Sequence, residues 1–85
     1  MFTLSNDSKP NKTEYLKAKV TIGGLYVRSW AGVKNSPLKS IPIIYKDTVV
    51  SVCDSILDDE GTIWYYVKIN NKVYGFCSSV YLKQV

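Results

Sequence analysis

Few side chains of this 85-residue chain could perform acid–base or nucleophilic chemistry. The chain contains no histidine, which excludes a Ser-His-Asp triad, a Cys-His pair and a histidine-ligated metal site. Its two cysteines, Cys53 and Cys77, are too few for a four-thiolate zinc site, and a disulfide between them stays open. The glycines fit neither a P-loop nor a dinucleotide-binding pattern. We therefore predict no enzyme active site and no cofactor in this chain.

Acidic residues are concentrated in one short segment, residues 58–60, which Gly61 follows. The segment lacks the ligand spacing of a calcium-binding loop. A catalytic carboxylate pair needs a second acid across a cleft, whereas these acids share one predicted hairpin tip. Asp58 and Asp59 are therefore interpreted either as part of a solvated turn or as groups that bind an amine of a ligand.

Aromatic side chains are the strongest sign of a binding surface, and they make up 13% of the sequence. Residues 63–69 are predicted as a strand with one apolar face, so Trp64 and Tyr66 are expected on the opposite, solvent side. Tyr26 likewise lies opposite its apolar neighbours, and Trp30 begins a long loop. Outward-facing aromatic rings suit sugar rings or peptide backbone. The alternative is that these rings cover the edge of the protein's own barrel.

Arg28 is the only arginine of the chain. Its guanidinium could hold a peptide carboxylate through two parallel hydrogen bonds. The alternative is a structural role at the end of a strand, where the side chain would bind loop carbonyl groups.

Short β-strands must position these residues. Alternation of apolar and polar side chains predicts a strand from about residue 16, and the glycine pair 23–24 bends the chain before the next strand. Residues 30–42 lack periodicity and form a long loop. A β-branched run over 48–53 predicts another strand. Strands over 63–69 and 72–77 complete a hairpin.

Two features near the C-terminus refine this outline. Asn70 and Asn71 can take the positive φ of a tight hairpin turn. Residues 78–82 indicate one helical turn that leads into a last short strand. Because no segment has the periodicity of an amphipathic helix, the chain is predicted to be an all-β, small, partly open barrel of five to six short strands. No apolar run approaches the roughly 20 residues that span a bilayer, so no membrane association is predicted.

Four segments together resemble the bacterial SH3 (SH3b) family. Residues 24–29 (GLYVRS) are similar to its first-strand motif Gly-Leu-Asn-Val-Arg-Ser, and residues 46–52 (KDTVVSV) to its Lys-Gly-Thr-x-Val-x-Val segment. Residues 64–69 (WYYVKI) are similar to its Trp-Tyr-Lys-Val strand, and residues 75–82 (GFCSSVYL) to its Gly-Tyr-Val-Ser-Ser-x-Tyr-Leu ending. The resemblance covers about residues 17–83. The sequence departs from the family pattern at Tyr26, at residues 30–32 and at Cys77. The motif places Cys77 in the core.

The resemblance implies an SH3-like barrel over residues 16–85 that binds bacterial cell-wall peptidoglycan without catalysing a reaction. Such domains commonly target phage endolysins or autolysins to the wall, so an upstream catalytic hydrolase domain or a full-length enzyme is an expected partner. Residues 1–15, which are almost entirely polar after residue 4, would be a tail or interdomain linker. Action at the cell wall would then require export by a fusion partner, a holin or lysis.

Charge is divided unevenly along the chain, whose formal net charge is +4. Residues 20–46 contain four basic and no acidic residues, and residues 47–60 contain five acidic and no basic residues. In the expected barrel these blocks would form opposite lips of one groove. Such a groove suits a wall peptide with both amine and carboxylate better than a polyanion.

Two other functions remain as alternatives. A small basic barrel with aromatic residues can bind nucleic acid, but arginine is nearly absent and the lysines are not clustered on one strand, so no nucleic-acid partner is predicted. An SH3-like protein-interaction or self-association module is the second alternative.

Overall fold

The computed structural model describes residues 9–85, which form seven short strands and one 3-10 turn. Part of the predicted linker, residues 1–8, lies outside the described residues. The elements are β1 (Leu16–Val20), β2 (Gly24–Tyr26), β3 (Ile43–Tyr45), β4 (Val49–Leu57), β5 (Ile63–Ile69), β6 (Val73–Ser78), η1 (Ser79–Tyr81) and β7 (Leu82–Gln84). The all-β prediction is confirmed, although the structure has seven strands where five to six were predicted. The three-residue strands β2 and β3 lie one on each side of the long loop.

The strands form two antiparallel sheets that meet along one edge. Five strands pair in the order β6-β5-β4-β1-β7, and β2 pairs with β3. The outer edge of β6 meets the chain just after β2, where Arg28 and Phe76 exchange two backbone N–H to carbonyl hydrogen bonds of 2.8 Å. These two bonds connect the small sheet to the large one and fold the strands into a partly open barrel.

The main core lies on the inner face of the five-stranded sheet. Ala18 and Val20 of β1 are fully buried, as the alternation in the sequence predicts. They pack with Val52 and Val67 of the same sheet and with Leu25 of the small sheet. Burying such side chains contributes roughly 1.5–3 kcal/mol each, so this cluster supplies most of the stability of a small domain.

The outer face of the same sheet is also covered, over its β4–β6 half. Strand β4 has a bulge between Val52 and Asp54, and its residues 50–56 are all buried. Beyond the bulge, Ile56 joins a second apolar cluster with Ala31, Trp64 and Phe76. Ala31 belongs to the long loop, which therefore lies over the outer face instead of projecting into solvent.

The turn signals in the sequence are confirmed. Asn70 and Asn71 have φ values of 53° and 59°, and they are the central residues of the tight turn in the three-residue connection, 70–72, between β5 and β6. Ser78 precedes η1, where its hydroxyl accepts a hydrogen bond from the backbone N–H of Val80. The 3-10 turn then leads directly into β7, as expected.

Residues 9–15, expected to be part of a linker, contact the barrel. The backbone N–H of Asn11 donates to the buried carboxylate of Asp54 at 2.8 Å, and Tyr15 N–H donates to the carbonyl of Val52 at 2.9 Å. Glu14 accepts a 2.6 Å hydrogen bond from the Ser51 hydroxyl, which lowers the pKa of this carboxyl. The polar composition of residues 9–15 gave no sign of these contacts, because the segment makes them with two backbone N–H groups and with the Glu14 carboxylate.

Gly75 marks the closest approach between β6 and the segment that closes the barrel. A Cβ at this position would lie 2.5 Å from Val27 Cγ1 and 3.2 Å from the backbone oxygen of Arg28. We expect Gly75→Ala to lower the free energy of unfolding by about 1–3 kcal/mol, because the extra methyl group must push β6 away from residues 27–28. Gly23→Ala is the control, since a Cβ there meets no atom within 4 Å. Urea unfolding of both variants measures the difference, and equal midpoints would contradict this description of the closure.

Candidate functional site

Two adjoining clefts lie beside the tip of the β4–β5 hairpin. The first, of about 410 Å³, separates the long loop at Trp30 and Lys34 from the tip at Asp59. The second, of about 360 Å³, lies between the tip, the region around β2 and the 3-10 turn. Both clefts are lined by Val33, Asp58 and Glu60, so together they form one groove divided by the hairpin tip.

Asp58 holds the shape of this tip. Its Oδ1 accepts the backbone N–H groups of Glu60 and Thr62, each at 2.9 Å, and its Oδ2 accepts the indole N–H of Trp64 at 2.8 Å. The hydrogen bond from Thr62 makes the largest contribution to lowering the pKa of the Asp58 carboxyl. Asp58, predicted as a ligand-binding residue or part of a solvated turn, thus binds its own hairpin.

Trp64 does not lie on a solvent face, and this expectation was wrong. Its side chain is 3% exposed and packs with Ala31, Ile56 and Phe76. The prediction assumed that only one face of β5 is buried, whereas the long loop covers the other face as well. Trp64 still forms part of the wall of the second cleft, and its indole N–H is already bound by Asp58.

Tyr66 lies on the same face of β5 as Trp64 but outside both clefts. Its ring stacks on Tyr74 at 5.5 Å between centroids and packs against Phe76 at 4.9 Å. The side chain is half-buried, and this burial raises the pKa of its hydroxyl. Its place in the structure is therefore the aromatic cluster on the outer face, where it packs against the same Phe76 ring as Trp30 but lines neither cleft.

Arg28 adopts the structural role that was the alternative interpretation. Its Nη1 donates to the backbone oxygen of Asn35 at 2.7 Å, which holds the first half of the long loop close to the strand end. The guanidinium carbon also lies 5.0 Å from the ring centroid of Tyr26, within the range of a cation–π contact. Both residues line the second cleft, and the Tyr26 side chain is 49% exposed there.

The basic and acidic segments do face each other across the first cleft. Lys34 Nζ lies 3.5 Å from Asp59 Oδ2, and both side chains are largely exposed. Such a pair contributes little to stability because water screens it. Trp30, at the base of the same loop, packs on Phe76 at 4.8 Å and lines the first cleft.

The structure thus brings most of the predicted residues to the groove and adds others. Tyr81 and Val80 of η1 form one wall of the second cleft, and Tyr81 is 40% exposed. Both residues lie in the segment 78–82, which the sequence predicts as a helical turn and not as part of a binding surface. Val33 was missed because a single valine in an irregular loop has no distinctive pattern.

The cysteines offer no reactive thiolate. Cys53 and Cys77 are both free and buried, so the disulfide alternative is not realised. Burial raises the pKa of the Cys77 thiol to about 12. Within residues 9–85, no three His, Cys, Asp or Glu side chains come together as metal ligands. In the same part of the chain, no helix is long and apolar enough to cross a membrane.

The chain matches no protein-family model, no curated protein and no solved structure in the comparisons made. The SH3b assignment and the boundary at residue 16 therefore stay predictions.

The Asp58 network leads to a stability prediction. Asp58→Ala removes the acceptor of three N–H groups, so we expect a clearly lower Tm than for Asp59→Ala, which loses only an exposed ion pair. The pKa of Asp58 is lower in the folded state than in the unfolded state. The ionised carboxylate therefore stabilises the fold at pH values above the unfolded-state pKa, and this stabilisation is lost as pH falls through the folded-state pKa. The Tm difference between wild type and Asp58→Ala should therefore narrow as the solution is acidified below about pH 3.9. A difference that stays constant in thermal unfolding across this range would contradict the role assigned to the carboxylate.

Proposed function

We propose that this chain is a non-catalytic module that binds bacterial cell-wall peptidoglycan. The observation that carries the proposal is the groove formed by two adjoining clefts, which is lined by aromatic rings and bordered by charges of both signs. In the proposed role it targets a phage endolysin or autolysin to the wall, next to a catalytic hydrolase domain or as a partner of the full-length enzyme.

The aromatic residues support binding of a flat or extended ligand. Tyr26 and Tyr81 are partly exposed within the second cleft, and Trp30 lines the first. Tyr and Trp side chains present a large apolar area with a polar edge and lose little conformational entropy on binding. Wall glycan and wall peptide both offer surfaces that such rings can cover.

The polar groups of the groove are suited to positioning rather than to chemistry. The Asp58 carboxylate is occupied by three internal donors, and the Arg28 guanidinium binds a loop carbonyl. Groups that are held in place in this way can recognise a ligand without activating it.

Acidic residues in both clefts argue against a polyanion as the ligand. Asp58 and Glu60 line each cleft, and a phosphate backbone in the groove would meet both carboxylates. A nucleic-acid complex would also weaken steeply with salt. The protein-interaction alternative uses the same groove and differs in the chemistry of the partner. Self-association stays a separate prediction.

Sedimentation with purified Gram-positive cell walls tests the proposal. The chain should sediment with the walls, and Tyr26→Ala should weaken binding roughly tenfold, because an exposed aromatic residue inside a cleft is a typical binding hot spot. Tyr45→Ala is the matched control, since Tyr45 is 63% exposed on β3 and lies outside both clefts. A wild-type chain that remains in the supernatant would overturn the proposal. Equal weakening by both substitutions would place the binding surface elsewhere.

A further inference from the structure

The groove is negatively charged although the protein is positively charged. Two basic residues, Arg28 and Lys34, line the clefts together with three acidic ones, Asp58, Asp59 and Glu60, which makes a formal charge of −1. The chain as a whole carries +4. Lys39 and Lys46, which the division of charge along the sequence placed on the basic lip, line neither cleft. The groove is therefore less dipolar, and more acidic, than the sequence indicated.

Most of these charges are already engaged within the protein. Asp58 accepts three hydrogen bonds, Asp59 pairs with Lys34, and Arg28 donates to Asn35. The carboxylate of Glu60 differs, because it makes no hydrogen bond or ion pair with any residue in 9–85. Glu60 is exposed at the point where the two clefts meet.

Aromatic rings complete the surroundings of Glu60 in the second cleft. Tyr26 and Tyr81, both partly exposed, line this cleft with it. Tyrosine rings attract cations. The Arg28 guanidinium lies 5.0 Å from the Tyr26 centroid, but Tyr26 is still 49% exposed, so part of this ring is open to a ligand cation. An uncompensated carboxylate among aromatic rings is a recurring arrangement for binding an ammonium group.

We propose that the second cleft recognises a positively charged amino group of the ligand, held by the Glu60 carboxylate and packed between Tyr26 and Tyr81. This inference rests on the proposed function, in which the ligand is peptidoglycan. The amino group is then a free amine of the wall peptide. An acetylated amine has lost the charge and two of its three N–H donors, so it cannot replace the ammonium. The rest of the peptide extends along the groove past Val33 into the first cleft.

The experiment compares walls before and after acetylation of their free amines with acetic anhydride. Binding of the wild-type chain should fall roughly tenfold on acetylated walls, the size expected for loss of one charge-assisted contact. Glu60→Gln should weaken binding to untreated walls by a similar factor and show little further loss on acetylated walls. Asp47→Asn is the control for charge, because Asp47 is an exposed acid outside both clefts. Walls whose carboxylates have been amidated control for chemical treatment and should still bind.

Unchanged binding to acetylated walls, or equal binding by Glu60→Gln and wild type, would overturn the inference while leaving wall binding itself intact. A chain that binds no walls at all overturns the proposed function instead. In that case the cleft is tested directly by NMR titration with triglycine and with N-acetyl-triglycine. Saturable shifts at Tyr26 and Tyr81 with the free amine alone support amine recognition. Identical responses to the two peptides, including no response, overturn it.

Discussion

The backbone pairing between Arg28 and Phe76 is the constraint on which the rest of this structure depends. Two hydrogen bonds of 2.8 Å close the barrel, and the absence of a side chain at Gly75 lets β6 and the segment after β2 approach each other. Because the pairing fixes the start of the long loop against β6, that loop must continue across the outer face of the sheet. There Ala31 covers Trp64 and Phe76. The same closure therefore produces the second apolar cluster and one wall of the groove.

A local hydrogen-bond network completes the opposite wall. Asp58 binds two backbone N–H groups of its own turn and the indole of Trp64, so the hairpin tip is attached to the cluster beneath it. The tip divides the groove into two clefts and orients Glu60 between them. Rigid placement of this kind reduces the entropy that a ligand-binding surface loses when the ligand arrives. The two walls of the groove are thus held by the long-range backbone pairing of Arg28 with Phe76 and by the local hydrogen bonds of Asp58.

Local signals in the sequence predicted local structure well. The alternation of Ala18 and Val20, the Asn70–Asn71 turn and the helical turn before β7 each depend on neighbouring residues, and the structure confirms them. Trp64 was misassigned because its burial depends on a loop that lies about thirty residues earlier and covers the outer face. Periodicity within one strand contains no information about such a cover. The charge division predicted that the basic and acidic segments border one groove, and Lys34 and Asp59 do face each other there, but the lysines that lie away from the groove could be located only in three dimensions.

Mapping of a soluble peptidoglycan fragment onto the chain by NMR chemical-shift perturbation tests the central claim most directly. The account predicts that the perturbed amides cluster around the two clefts, in β2, the long loop, the hairpin tip and η1. The outer-face cluster around Tyr66 and Tyr74 and the edge strand β7 should be unaffected. Perturbations confined to that outer face, or a fragment that perturbs no part of the chain at saturating concentration, would contradict the assignment of the groove as the wall-binding site.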